Sequence, residues 1–121
     1  MKIKILVNGK EAFAELDNSE TARKVYDALP LEARFNLWGD EIYFRIPVHA
    51  GLEEGASEVV EKGDVAFWPE GDAFCIFFGK TPASTETVIR AASAVNVFGK
   101  IRGDLRIFKS LKTRKIRVEK V

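Results

Sequence analysis

Glutamine is absent from this 121-residue chain, and methionine, cysteine and histidine each occur once. The lone cysteine, Cys75, closes no internal disulfide, so a hydrophobic core has to hold the fold, and the composition points to the cytosol. The lone histidine, His49, has no cysteine partner or carboxylate cluster beside it and matches no zinc ligand set. The longest apolar run, Ala73–Phe78, is six residues, far short of the roughly 20 that a membrane-spanning helix needs. Met1–Ile5 alternates charged and β-branched residues, which predicts a strand and not a signal peptide. The glycines are scattered at turns, so no phosphate-cradling loop forms. Glu53, Glu54, Glu58, Glu61 and Asp64 lack the ligand spacing of a calcium loop and read as a solvated acidic face. No cofactor motif is found, and no metal site is expected.

What is present suits one globular domain spanning residues 1–121: 46% of the residues are hydrophobic and 31% charged, enough to bury a core without staples. The balance of Glu and Lys over Gln, Met and Cys leans towards a heat-adapted source. Net charge is only +1, but it is unevenly spread. Residues 1–99 hold 10 basic and 16 acidic side chains, whereas residues 100–121 hold 9 and 2. A basic tail can serve nucleic acid. No stacking aromatics accompany the exposed charges, so the tail is expected first to cross acidic loops of its own domain, and an RNA-associated protein acting through this basic C-terminal segment stands as the third-ranked function.

Lys2–Val7 and Glu11–Leu16 flank Asn8-Gly9-Lys10, a strong hairpin signal because Asn and Gly tolerate positive φ. Asp17–Glu20 offers helix N-caps, Ala22, Val25, Tyr26 and Leu29 recur at helical spacing, and Pro30 stops the helix. Leu31–Leu37 alternates as one half-buried strand. After the Trp38–Glu41 turn, Ile42–Ile46 returns with Tyr43 and Arg45 on one face. Residues 47–62 read as a long surface loop and 83–92 as mostly irregular. Ser93–Ile101 is a strand, Gly103-Asp104 caps a short helix holding Leu105 and Phe108, and Lys115–Val121 closes the chain as a strand with Ile116 and Val118 inward.

The aromatic mass concentrates in Gly63–Pro82. Val65–Trp68 and Ala73–Phe78 flank Pro69-Glu70-Gly71-Asp72, whose preset φ and tolerance of positive φ make a turn. In all, about eight short strands and one or two short helices predict a mainly β domain, an antiparallel barrel or sandwich.

Three stretches carry a family resemblance. Val95-Asn96-Val97-Phe98-Gly99-Lys100-Ile101 resembles the H-V-V-F-G-K-V strand of cyclophilins, Phe74-Cys75-Ile76-Phe77-Phe78 their F-F-I-C-T strand, and Tyr43-Phe44-Arg45-Ile46-Pro47 their F-H-R-I-I-P strand. The whole chain is similar to a small prokaryotic family of cyclophilin-like proteins of uncharacterised function. The carriers are Gly63–Trp68, Ile76–Pro82 and Val95–Gly99. The resemblance implies a closed eight-stranded β-barrel with a helix at one end. It also implies that the cyclophilin catalytic arginine falls on Arg45. The Q-G-G-D segment expected next is His49-Ala50-Gly51-Leu52 here, the strand-opening histidine is Val95, and the substrate-binding phenylalanine falls near Cys75. Most of a prolyl isomerase site is therefore changed.

Two functions rank ahead of the RNA-associated one as expectations. The first is a binding module for a small molecule or an extended, proline-containing peptide, with Tyr43, Phe67, Trp68 and Phe77 as groove residues; Phe67, Phe77 and Phe78 serve equally well as core. The second is a weak prolyl isomerase, in which the Arg45 guanidinium donates to the amide beside proline and lowers its ~20 kcal/mol rotation barrier. The plainer role for Arg45 is an exposed ion pair worth less than about 1 kcal/mol. Cys75 lies inside an apolar strand, where burial raises a thiol pKa and keeps it unreactive.

Overall fold

Two hairpins frame the molecule, whose computed structural model describes all residues, Met1–Val121. In the first, β1 (Lys2–Val7) and β2 (Lys10–Leu16) pair antiparallel. Asn8 and Gly9 between them sit at φ 55° and 73°, as a primed two-residue turn requires. Ile3, Ile5 and Val7 on β1 alternate inward and are almost fully buried. In the second, β7 (Asp64–Trp68) and β8 (Ala73–Phe77) flank a 3-10 turn at Pro69–Gly71. Asp72, at φ 48°, completes the reversal.

Helix α1 (Glu20–Asp27) begins at Ser19, whose Oγ accepts from the Ala22 N–H at 3.1 Å. It turns Ala22 and Val25 onto the core and ends ahead of Pro30. The 3-10 turn at Leu105–Phe108 is capped by Asp104 and buries Phe108.

Leu31–Leu37, expected as one strand, divides into β3 (Leu31–Arg34) and β4 (Asn36–Leu37). The two halves bond to different neighbours: β3 to β10 (Lys115–Lys120) and β4 to β5 (Glu41–Arg45). Phe35 between them donates its N–H to the Arg114 carbonyl at 2.8 Å and buries its ring.

Two further segments depart from expectation. Residues 47–62 are not one structureless loop, since β6 (Ser57–Val60) pairs with β9 (Ile89–Arg102). The irregular stretch expected at 83–92 ends early, because β9 runs from Ile89 to Arg102. Ile89 and Arg90 pair with Val60 and Val59, and Ala91 joins a buried cluster there. Packing against β6 supplies what local propensity did not.

The sheet has ten strands, in the order β3-β10-β1-β2-β9-β7-β8-β5-β4, with β6 on β9. Its hydrogen-bonded path does not close as an eight-stranded barrel would. The path's ends, β3 and β4, meet through the chain at Phe35 instead of through a ladder.

The sheet covers two cores. The larger holds Phe44, Phe67, Phe74 and Phe98 among its aliphatic residues. Phe44 stacks on Phe74 with centroids 5.1 Å apart, and Phe98 meets Phe74 edge-on at 5.7 Å, arrangements that suit the ring quadrupoles. The smaller core lies on the opposite face of β7 and β8 and consists of Val60, Ala66, Ala73, Cys75, Phe77, Ala91 and Val95. Both faces of this hairpin are covered, which explains its unbroken apolar sequence.

Candidate functional site

Strand alternation determines which side chains reach the outer face. On β5, Ile42 and Phe44 point into the larger core, so Glu41, Tyr43 and Arg45 point the other way. They stand opposite Phe77, Cys75 and Ala73 of β8. Cys75 and Ala73 in turn oppose Ala66 and Trp68 of β7. The outer face therefore carries the rows Tyr43–Cys75–Ala66 and Arg45–Ala73–Trp68.

The smaller core opens at its edge into a pocket of about 220 Å³ lined by Trp38, Glu41, Tyr43, Trp68, Ala91, Ala92 and Val95. Trp38, Tyr43 and Trp68 are all half-buried. Trp68 is held from two sides. Its Nε1–H donates to Ser93 Oγ at 2.7 Å, and Ser93 donates on to the Glu70 carboxylate. The Gly71 backbone lies against the same ring, where an added Cβ would stand only 2.8 Å from two ring carbons. The Pro69–Asp72 turn thus supplies both a hydrogen-bond network and a close backbone approach that position one wall of the pocket.

Glu41 is the polar member of the lining. It is only 6% exposed and pairs with no Lys, Arg or His. Loss of solvent pushes its carboxyl up to about 7, against a smaller opposing effect of the neighbouring Cys75 thiol. The thiol is pushed well above its ordinary value by burial and by Glu41 beside it. Neither group has a cation to offset its desolvation. Asp64 is the contrast: at 7% exposure it accepts from Lys100 Nζ at 2.9 Å and from the Glu61 N–H at 2.8 Å. The chain satisfies one buried carboxylate internally and leaves the other facing a cavity.

The groove residues expected from sequence fall in different places. Tyr43 and Trp68 line the pocket, Phe77 lies fully buried in the small core below it, and Phe67 is fully buried in the large core on the opposite face. Phe78 also belongs to the large core, against Phe108. Arg45 shares the outer face with Trp68 but not the pocket. It is 79% exposed, with Asp72 Oδ2 3.6 Å away, and His49 Nδ1 lies 3.0 Å from the same oxygen. Trp38 and Glu41 were legible only as parts of a turn. A period-2 reading carried back from Tyr43 puts Glu41 on the same face, but burial of a glutamate has no sequence signal of its own.

The loop before β6 is pinned rather than loose. Asn96, buried on β9, accepts from the Glu53 N–H at 2.8 Å and donates to the Gly51 carbonyl at 2.9 Å and Thr21 Oγ1 at 3.1 Å. The Glu53 carboxylate accepts from the N–H and hydroxyl of Thr21 in the first turn of α1, where an anion suits the helix dipole. Several tail cations meet acids of the chain: Lys109 reaches Asp40 at 2.6 Å, and Arg117 reaches Glu32 at 3.1 Å and Glu119 at 2.5 Å. A broader groove of about 650 Å³ runs past Lys10, Arg34, Lys115 and Arg117, with Glu32 among them. Most of its lining residues are polar or charged, and it brings no unpartnered buried group into play.

No helix is long and apolar enough to cross a membrane. No curated protein matches the chain. Among solved structures, the solution structure of a hypothetical protein from Archaeoglobus fulgidus is similar, with 42% identity, a TM-score of 0.83, and coverage of 100% of this chain and 95% of that one. The cyclophilin-like family model matches residues 1–119. On that match, the chain belongs to the cyclophilin-like family.

Proposed function

We propose that the protein is a binding module whose ligand site is the pocket between Trp38, Tyr43 and Trp68. The observation that carries this reading is the convergence of three half-buried aromatic side chains on a concavity that also contains one buried, unpaired carboxyl. A mostly apolar hollow with a single oriented polar group is the usual form of a small-molecule site. At about 220 Å³ it has room for a compact molecule or a single side chain, not for an extended peptide along its whole length. A fragment screen read by tryptophan fluorescence and by the two indole N–H resonances tests it. Hits are expected to shift both indoles in the parent and to lose most of their affinity in Trp68→Ala. A screen whose hits all map elsewhere, for instance to the Lys10–Arg117 groove, refutes the assignment.

The isomerase reading has one observation in its favour, the shared row of Arg45, Ala73 and Trp68 on the outer face. Against it, Arg45 lies outside the pocket and faces Asp72 at 3.6 Å. Its test is a proline-peptide isomerisation assay on the parent and Arg45→Ala. The reading requires acceleration by the parent that the variant loses.

A further inference from the structure

We propose that the occupant of the pocket is a small organic cation, its charge against Glu41 and its alkyl groups against Trp38, Tyr43 and Trp68. The inference rests on the pocket reading above and adds the chemistry of the ligand.

Three features lead to it. First, the lining holds one acid and no base, the remaining members being aromatic or aliphatic. An anionic ligand would meet Glu41 with nothing to compensate, whereas a cation would find the charge it lacks. Second, electron-rich aromatic rings attract alkylammonium groups, most strongly when water is excluded, and Trp is the best of them. Two of the three rings here are Trp. Third, Asp64 and Glu41 are buried to the same degree, yet only Asp64 has a protein cation. Glu41, which has none, lines the cavity.

The same geometry dictates a pH dependence. The groups packed round Glu41 are few. Tyr43 lies on its own strand, Cys75 and Phe77 on β8, and Trp38 on the turn, and the adjacent Asp40 is engaged by Lys109. None of the first four supplies a cation. With no cation bound, the Glu41 carboxyl therefore holds its proton up to about pH 7. A bound cation favours the carboxylate and expels that proton to solvent. Affinity should rise about tenfold per pH unit below 7 and level off above it.

Choline and its uncharged isostere 3,3-dimethyl-1-butanol make the discriminating probes. Each is titrated into the full chain by calorimetry at pH 6 and pH 8, with the indole resonances of Trp38 and Trp68 followed in parallel. Choline is expected to bind about tenfold tighter at pH 8 than at pH 6, with proton release at pH 6. The isostere should bind more weakly at pH 8, with no pH dependence. Glu41→Gln should flatten the choline profile, and its own melting curve reports whether it folds. Trp68→Phe should weaken choline without moving the pH midpoint, so the two walls are separable. Equal binding of the two probes at pH 8 overturns the cation proposal while leaving the apolar pocket in place. Failure of both to shift the indoles at millimolar concentration also overturns it, and the fragment screen then judges the pocket reading independently.

Discussion

Replacing Glu41 with Gln should stabilise the protein, and should do so only at neutral and alkaline pH. The carboxyl lies 6% exposed without a cationic partner, and its pKa rises from an ordinary 4.5 to about 7. A folded-state value above the unfolded one means that the folded protein binds the proton more tightly. Ionisation therefore penalises folding: the penalty is absent below about pH 4.5, grows through the interval to 7 and is complete above it. At 1.36 kcal/mol per pH unit, that interval corresponds to about 3 kcal/mol. Gln removes the ionisation but must bury an amide, which costs about 1 kcal/mol when its hydrogen bonds are incomplete. The net gain at pH 8 is about 2 kcal/mol, or several degrees in Tm for a domain of this size. At pH 4.5 the parent carries a neutral carboxyl, and the two proteins should melt within about 1 kcal/mol of each other. Thermal or urea unfolding of both proteins from pH 4.5 to 8.5 checks this. The expected signature is a difference that widens with pH and saturates above 7. Parallel curves, or a parent that gains on the variant as pH rises, would refute the claim that Glu41 is a desolvated, unpaired acid.

Other expectations follow from single contacts. Cys75, fully buried with its thiol pushed up by desolvation and by Glu41, should resist thiol reagents in the folded protein and react only at the rate of unfolding; fast labelling under native conditions contradicts its placement. Asn96→Ala strands the Glu53 N–H and the Gly51 carbonyl and removes one of the two partners of Thr21 Oγ1, a loss of about 2–3 kcal/mol. Amide exchange at Glu53 should accelerate by orders of magnitude, and unchanged protection there counts against the pinned loop. Gly71→Ala forces a Cβ to 2.8 Å from the Trp68 ring, so the ring must shift and its fluorescence and Ser93 hydrogen bond change, with stability falling by about 1–3 kcal/mol. A Trp68 environment identical to the parent's would show that Gly71 does not position it.

Local chemistry made much of this protein readable in its sequence. Asn8-Gly9 accepts positive φ, Ser19 bonds the first turn of α1, and Pro69–Asp72 reverses the chain. Each depends on residues within a few positions, so local signals alone were enough for both hairpins, the helix and the final strand, and with them a mainly β domain; its cyclophilin-like kind was legible through the resemblance of its strand motifs. Long-range pairing decided the rest. β6 and the first residues of β9 form because they face each other, although neither segment has a strong period of its own. The split at Phe35 exists because β10 and β5 compete for one strand.

The same division runs through the candidate site. Tyr43 and Trp68 were visible as aromatics at strand positions, and period 2 puts Tyr43 and Arg45 on one face. Only the tertiary structure separated Phe67, buried inside, from Trp68, half-open outside. It alone brought Trp38 from a turn and Ala91 from β9 to the same hollow. Glu41 shows why most plainly. A glutamate in a turn-and-strand sequence reads as solvated, because its cost of burial depends on which neighbours remove its water and whether any brings a cation. Those neighbours come from β5, β7, β8, β9 and the Trp38 turn, and no spacing in the chain encodes their meeting.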